Sequence, residues 1–256
     1  MRKLKGNEAM PLLGIPKKQG KEKQMNAREK VARRKFLVAT TGLVAAAPIL
    51  ALAQAKAEIN PDEGVTAPED LMKEHGVLNR CLLIYEEGMR RLQKGDAITP
   101  EVFQHTAQLI RTFVEEYHEK NEEKYIFPEF ERAKKLVDLV EVLKTQHLAG
   151  RDVTAQILNL SQPDRFRSKD NRNKLVKACG NFIRMYRPHE SREDTVLFPA
   201  LRTILKPKQV AELGDRMEED EKKVLGDEGF EKSVEQVATI EKQLGIYELS
   251  QFTPKA

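Results

Sequence analysis

Beyond residue 67 the apolar positions recur every three to four residues, which predicts one helix after another. Leu71, Leu78, Leu82 and Tyr85 (or Met89) mark a first helix that opens near Pro68-Glu69-Asp70 and ends at Lys94-Gly95-Asp96. Thr99, Pro100 and Glu101 form a start signal for a second, which runs through Phe103, Ile110 and Val114 to about Phe127, where Pro128 stops or kinks it. A third covers residues 136–160, with Leu139, Leu143 and Val153 or Ile157 facing inward, before Ser161-Gln162-Pro163-Asp164 breaks the chain. A fourth covers residues 168–204, bent at Pro188 and Pro199. Four long amphipathic helices joined by short polar turns predict an all-α fold over 68–205, an up-down-up-down antiparallel four-helix bundle. Two further helices, split by Gly226-Asp227, make a C-terminal extension over 206–256. There Phe230, Val234, Val237 and Leu244 form a stripe that would pack on the outside of the bundle, and residues 218–223 read as a solvated face.

Charge changes the picture at the N-terminus. Residues 1–55 hold 12 Lys/Arg and 3 acids, so the remaining chain, with 32 basic and 37 acidic residues, is acidic. The basic balance belongs to a leader, and a nucleic-acid partner is not expected. The leader (1–57, followed by a linker over 58–67) holds Ala32-Arg33-Arg34-Lys35-Phe36-Leu37, then a mildly apolar stretch to about Ala53 and the small-residue run Ala53-Gln54-Ala55-Lys56-Ala57. It resembles a twin-arginine export signal with cleavage after Ala55 or Ala57, although Ala32 stands where Ser or Thr is usual and Val38 where Lys often is. The expected location is periplasmic; an uncleaved leader of about 18 apolar residues would instead anchor the chain in a membrane. Met25 is a more ordinary start than Met1. Cys81 and Cys179 are too few for a disulfide framework and read as buried thiols, with pairing left open.

The chemistry is carried by an internal repeat. His118-Glu119-Lys120-Asn121-Glu122 runs on to Ile126-Phe127-Pro128, and His189-Glu190-Ser191-Arg192-Glu193 runs on to Leu197-Phe198-Pro199. Glu74-His75 and Gln146-His147 recur at nearly the same offset. Residues i and i+4 of a helix share a face, so His118 with Glu122 and His189 with Glu193 can each aim an imidazole and a carboxylate at one point. His75 and His147 add one imidazole each from the other two helices. A single H-x-x-x-E is commonly an exposed pair worth a few tenths of a kcal/mol. Two copies with a repeated tail, in a core that would otherwise hold six uncompensated polar groups, point to metal. Imidazole with carboxylate suits iron, manganese or zinc. His105 lies 13 residues before His118 and falls outside the set.

This layout, a His and then H-x-x-x-E, twice, resembles the hemerythrin family in its bacterial HHE cation-binding form over about residues 68–205. The resemblance implies two iron ions in a non-haem di-iron centre, ahead of manganese or zinc. It implies His75, His118, His147 and His189 as terminal ligands and Glu122 and Glu193 as bridges. Oxygen-carrying members have a further histidine one turn after the third-helix histidine, where this chain has Arg151; the site is closer to the four-histidine, two-glutamate members. The implied partners are O2, NO or peroxide, an electron donor that the sequence does not identify, and the twin-arginine machinery. A non-catalytic iron-binding, redox- or oxygen-sensing, or iron storage and donation module is the competing class. Leu78, Leu82, Val114, Leu143, Phe182 and Met185 are expected to wall the site, with Arg151 on the same side or at its rim.

Overall fold

A computed structural model describes residues 66–254 of the 256; the leader and most of the linker lie outside the described residues. The described chain is all-helical. Helix α1 spans Ala67–Lys94. Thr66 caps it: its backbone N–H and hydroxyl both donate to Glu69, Pro68 occupies the first turn where no N–H is needed, and Gly95 ends the helix at φ 77°.

Helix α2 (residues 100–133) starts after Thr99 and continues past the proline at which a stop or kink was expected. Two stretches of wider π-type turns, Ile110–His118 and Glu122–Ile126, lie within it. In the first, the Glu119 N–H reaches back five residues to the Val114 carbonyl. The second ends just before Phe127–Ala133, so Pro128 sits at the head of a fresh α-helical segment where its missing N–H costs nothing. Helix α3 is Val137–Leu160. Helix α4 (residues 169–201) begins at Ser168, whose side chain accepts the Asn171 N–H. It runs through Pro188, passes a π-type stretch at Glu193–Leu197, and places Pro199 at the head of Phe198–Leu201. It stops three residues short of the expected end. The π stretches after Glu122 and Glu193 occupy matching places in the two repeats, so the duplication extends to backbone geometry.

Helices α1, α2, α3 and α4 close a ring: α3 packs on α4, α4 on α1, α1 on α2 and α2 on α3. Two apolar cores fill it. One holds Leu78, Leu82, Tyr85, Phe103, Phe113, Val114, Phe182 and Tyr186; the other holds Leu71, Phe127, Phe130, Leu143, Leu201 and Met217. Between them, on every helix, falls the position of a repeat histidine. Burying each large apolar side chain contributes about 1.5–3 kcal/mol, so the two cores hold the polar layer between them in place.

The last helices, α5 (Pro207–Val224) and α6 (Gly229–Leu244), pack on α1 and α2. Val237 and Leu244 are buried against the core, and Phe230 and Val234 lie partly buried beside them. Arg80 holds Glu241, and the Arg91 guanidinium donates to the Leu244 carbonyl. The charged run at 218–223 is only partly solvated. Glu221 accepts the Phe230 N–H, and Asp220 accepts from Lys124 and from the Tyr125 hydroxyl at 2.8 Å, tying α5 to α2. Cys81 and Cys179 are free and fully buried, which pushes both thiols far up from their ordinary range. Among the described residues no helix is long and apolar enough to cross a membrane.

Asp220 is partly desolvated, but its bonds to Lys124 and Tyr125 outweigh that and lower its carboxyl to about 2. A depressed carboxylate stabilises the fold above its unfolded pKa of about 3.9 and loses that contribution as pH falls through the folded value. Because the pair is close to solvent, Asp220→Asn should cost at most about 1 kcal/mol at pH 7. The gap between wild type and variant in thermal unfolding should shrink steadily from pH 4 to pH 2.

Candidate metal centre

The six expected residues come together where the two cores meet, each 4 % exposed or less. His75 comes from α1, His118 and Glu122 from α2, His147 from α3, and His189 and Glu193 from α4. They form two facing pairs. The Nε2 atoms of His75 and His118 stand 3.1 Å apart, and those of His147 and His189 stand 3.3 Å apart. The two glutamates lie between the pairs. Glu122 Oε2 is 3.8 Å from His118 Nε2 and 3.4 Å from His147 Nε2. Glu193 Oε1 is 3.2 Å from His189 Nε2, and its Oε2 is 3.4 Å from His75 Nε2. His105 is exposed and outside the cluster.

The ring orientations follow from the opposite nitrogens. A carboxylate can only accept, so in the neutral ring each Nδ1 facing one carries the proton and leaves a lone pair on Nε2 aimed at the centre. His75 Nδ1 donates to Asp194 at 2.8 Å, His118 Nδ1 to Glu74 at 2.7 Å, and His147 Nδ1 to Glu123 at 3.2 Å. His189 Nδ1 donates to the amide oxygen of Gln146 at 2.9 Å. These outer acceptors repeat with the chain: Glu74 matches Gln146, and Glu123 matches Asp194. Tyr117 donates to Glu74 at 2.9 Å, fixing that carboxylate. The Phe of each repeated Phe-Pro tail stacks on a histidine of another helix, Phe198 on His75 and Phe127 on His147.

Such a layer fits cations. Both oxygens of Glu122 and both of Glu193 are buried without a hydrogen-bond partner, a cost of several kcal/mol if nothing compensates their charge. Two imidazoles bound about 2.1 Å from one ion and meeting at a right angle stand about 3 Å apart, close to the separation in each pair. Charge is contested throughout the layer. Burial and the Glu193 charge drive the Glu122 carboxyl well above its ordinary range, whereas His189 and His75 hold Glu193 below it despite burial. Burial, with His75 beside it, lowers His118 to about 3, and burial lowers His147 to about 4. Burial opposes protonation of His75, yet Asp194 and Glu193 raise it to about 10. Divalent ions would take over the role of these unevenly shared protons. Three groups of donors stand close enough to hold a metal ion: Glu122 with His147, His189 and Glu193; His75 with His118 and Glu122; and, at the edge of the layer, His147 with Glu119 and Glu123, the two carboxylates that Arg151 already binds.

The expected walls are in place as packing. Leu78, Leu82, Val114 and Phe182 belong to the first core and Leu143 to the second, with Met185 partly buried against the first. Arg151 takes the rim position. Its guanidinium is bound to Glu119 at 2.8 Å and Glu123 at 2.6 Å, so it braces the layer from outside rather than pointing into it. Sequence reasoning missed Glu123 and Asp194, whose shared offset matched that of the histidines, and the stacking role of Phe127 and Phe198.

A family model, the hemerythrin HHE cation binding domain, matches the chain over residues 66–165 and again over 139–244. The chain is 48 % identical over 190 residues to uncharacterized proteins of Mycobacterium bovis (Mb2018) and Mycobacterium tuberculosis (Rv1995), covering 74 % of each chain. No solved structure matches it. The chain belongs to the hemerythrin HHE cation-binding family.

Tyr186 packs against the His189 ring and donates to Glu119 at 2.6 Å. Gly150 of α3 makes room for it, since a Cβ there would lie 2.0 Å from the Tyr186 hydroxyl oxygen. Gly150→Ala should therefore cost about 1–3 kcal/mol by overpacking. A Cβ on Gly76 of α1 would meet nothing within 4 Å, so Gly76→Ala should be neutral or stabilise by up to about 1 kcal/mol. Paired thermal unfolding curves of the two variants check this.

Proposed function

We propose that this chain is an exported non-haem di-iron protein that binds or reduces a small ligand: O2, NO or peroxide. In this reading α1 to α4 form an up-down-up-down antiparallel bundle, a topology supported by their ring of contacts and short connections. The observation that carries the reading is the pair of facing imidazoles on either side of two buried carboxylates with no hydrogen-bond partner. His75 and His118 would hold one iron, His147 and His189 the other, with Glu122 and Glu193 shared between them. Bound there, two irons supply a one- or two-electron redox couple and a position for a small ligand.

The chain's own part is to shape that position. The Nδ1 bonds fix each imidazole in one tautomer and hold its lone pair on the centre. Leu78, Leu82, Val114, Leu143 and Phe182 keep bulk water out, which suits an uncharged diatomic ligand. A non-catalytic iron-binding, oxygen-sensing or iron-storing module is the second reading. The side chain that favours it is Arg151: held by Glu119 and Glu123, its guanidinium is not free to stabilise a reacting anion. Steady consumption of NO, O2 or peroxide with a reductant supports turnover, and stoichiometric binding without it supports the module. Export is supported by Arg33-Arg34 and the apolar, small-residue run behind them.

Protein purified from its native compartment should carry close to two irons per chain with near-ultraviolet charge-transfer absorption. Glu122→Ala with Glu193→Ala should lose both while remaining helical by circular dichroism. Iron-free protein that cannot be reconstituted would overturn the di-iron reading. Replacing Arg33 and Arg34 together by Lys should leave the full chain in the cytoplasm, seen by fractionation; unchanged export would exclude the twin-arginine route.

A further inference from the structure

The duplication brings matching residues around both histidine pairs, but the two surroundings differ in charge. Around His75 and His118 the outer acceptors are Asp194 and Glu74, two carboxylates. Among the described residues neither forms an ion pair with Lys or Arg; Lys73 of the same helix as Glu74 bonds Asp70. Around His147 and His189 the acceptors are Glu123, bound by both Arg151 and Lys120, and the neutral amide of Gln146. One turn after the histidine, the first half has Asn79 and the second has Arg151. Asn79 donates to buried Glu190, leaving that carboxylate without a cation, whereas Arg151 pairs with Glu119, the residue matching Glu190. Glu122 and Glu193 reach both halves and stand slightly closer to the His147–His189 pair, at 3.4 and 3.2 Å against 3.8 and 3.4 Å, a small difference beside the change of charge among the outer partners.

We infer that the two cation positions of this centre are unequal: the His75–His118 position takes a divalent ion first and more tightly, and Arg151 with Gln146 weakens the other. The inference rests on the proposed two-cation centre and adds an order to it. An imidazole whose Nδ1–H is held by an unpaired carboxylate is a more basic, more electron-rich ligand than one held by an amide or by a carboxylate already neutralised by Arg and Lys. The same difference lets the His75–His118 position support the higher ionic charge, so Arg151 and Gln146 act as positioning residues that set the order of loading. All four histidines are 4 % exposed or less, so ligand accessibility does not supply an alternative cause.

The test is a Zn2+ titration of the metal-free full chain, followed by native mass spectrometry and competition with a chelator. Wild type should load two ions in two steps separated by about 10–100-fold, the usual effect of outer partners on metal affinity. His147→Ala should keep the tight step and His75→Ala only the weak one. Gln146→Glu with Arg151→Asn, which leaves all six inner side chains intact, should tighten the weak step and close the gap. Equal residual affinities in the two histidine variants, or an unmoved weak step in the double variant, would overturn the inference while leaving a two-ion centre standing. Absence of any bound Zn2+ in the wild type would overturn it together with the centre itself.

Discussion

The fold depends on a cost. Four imidazoles and two carboxylates occupy one layer of a helical core, and four carboxylate oxygens there have no hydrogen-bond partner. An ionised carboxylate in such surroundings is tolerable only beside a compensating charge. The apolar cores above and below supply the stabilisation that keeps the layer closed, and the layer supplies the reason that each helix has its present rotation. Turning α2 by one residue would move His118 and Glu122 off the centre together. The π-type turns on either side of these two residues are part of that register, as are those after Glu193 in α4.

Around the layer, the structure is a set of constraints on orientation. Each histidine is held from behind by an acceptor, two of them are stacked on an aromatic ring, Phe198 for His75 and Phe127 for His147, and Tyr186 packs at a tilt against a third, His189. The Pro that follows each Phe starts the next α-helical segment immediately after a π-type stretch. The repeated aliphatic-Phe-Pro tail therefore does two jobs: it seals the second core and it ends the wider turns. The C-terminal helices add cover to α1 and α2 through Arg80, Arg91 and Asp220, at a distance from the metal-binding chemistry.

Much of this was legible in the sequence, for physical reasons that can be named. Periodicity located the long helices because each must bury one face, and Pro68, Thr99, Gly95 and Ser168 marked ends within a residue or two. The six inner residues stood out because a His and a Glu one turn apart, repeated at a fixed offset, are rare by chance. The outer acceptors did not stand out. Glu123 and Asp194 look like ordinary helix-surface acids, and only their partners across the bundle give them a role. The wider turns were invisible, since no residue type demands them; Pro128 and Pro199 suggested breaks, and the chain instead absorbs each proline at a restart. The spacing of Arg151 from His147 left it open whether the guanidinium turns to the centre or to the rim, and the carboxylates of α2 decide for the rim.

The central claim is that these six side chains hold two cations between two histidine pairs. It is tested most directly by anomalous scattering at the iron edge from crystals of the protein loaded with iron. The account predicts two peaks, one beside His75 and His118 and one beside His147 and His189, with Glu122 and Glu193 reaching both. A single peak, or iron bound elsewhere with the six side chains bonded only to one another, would contradict it.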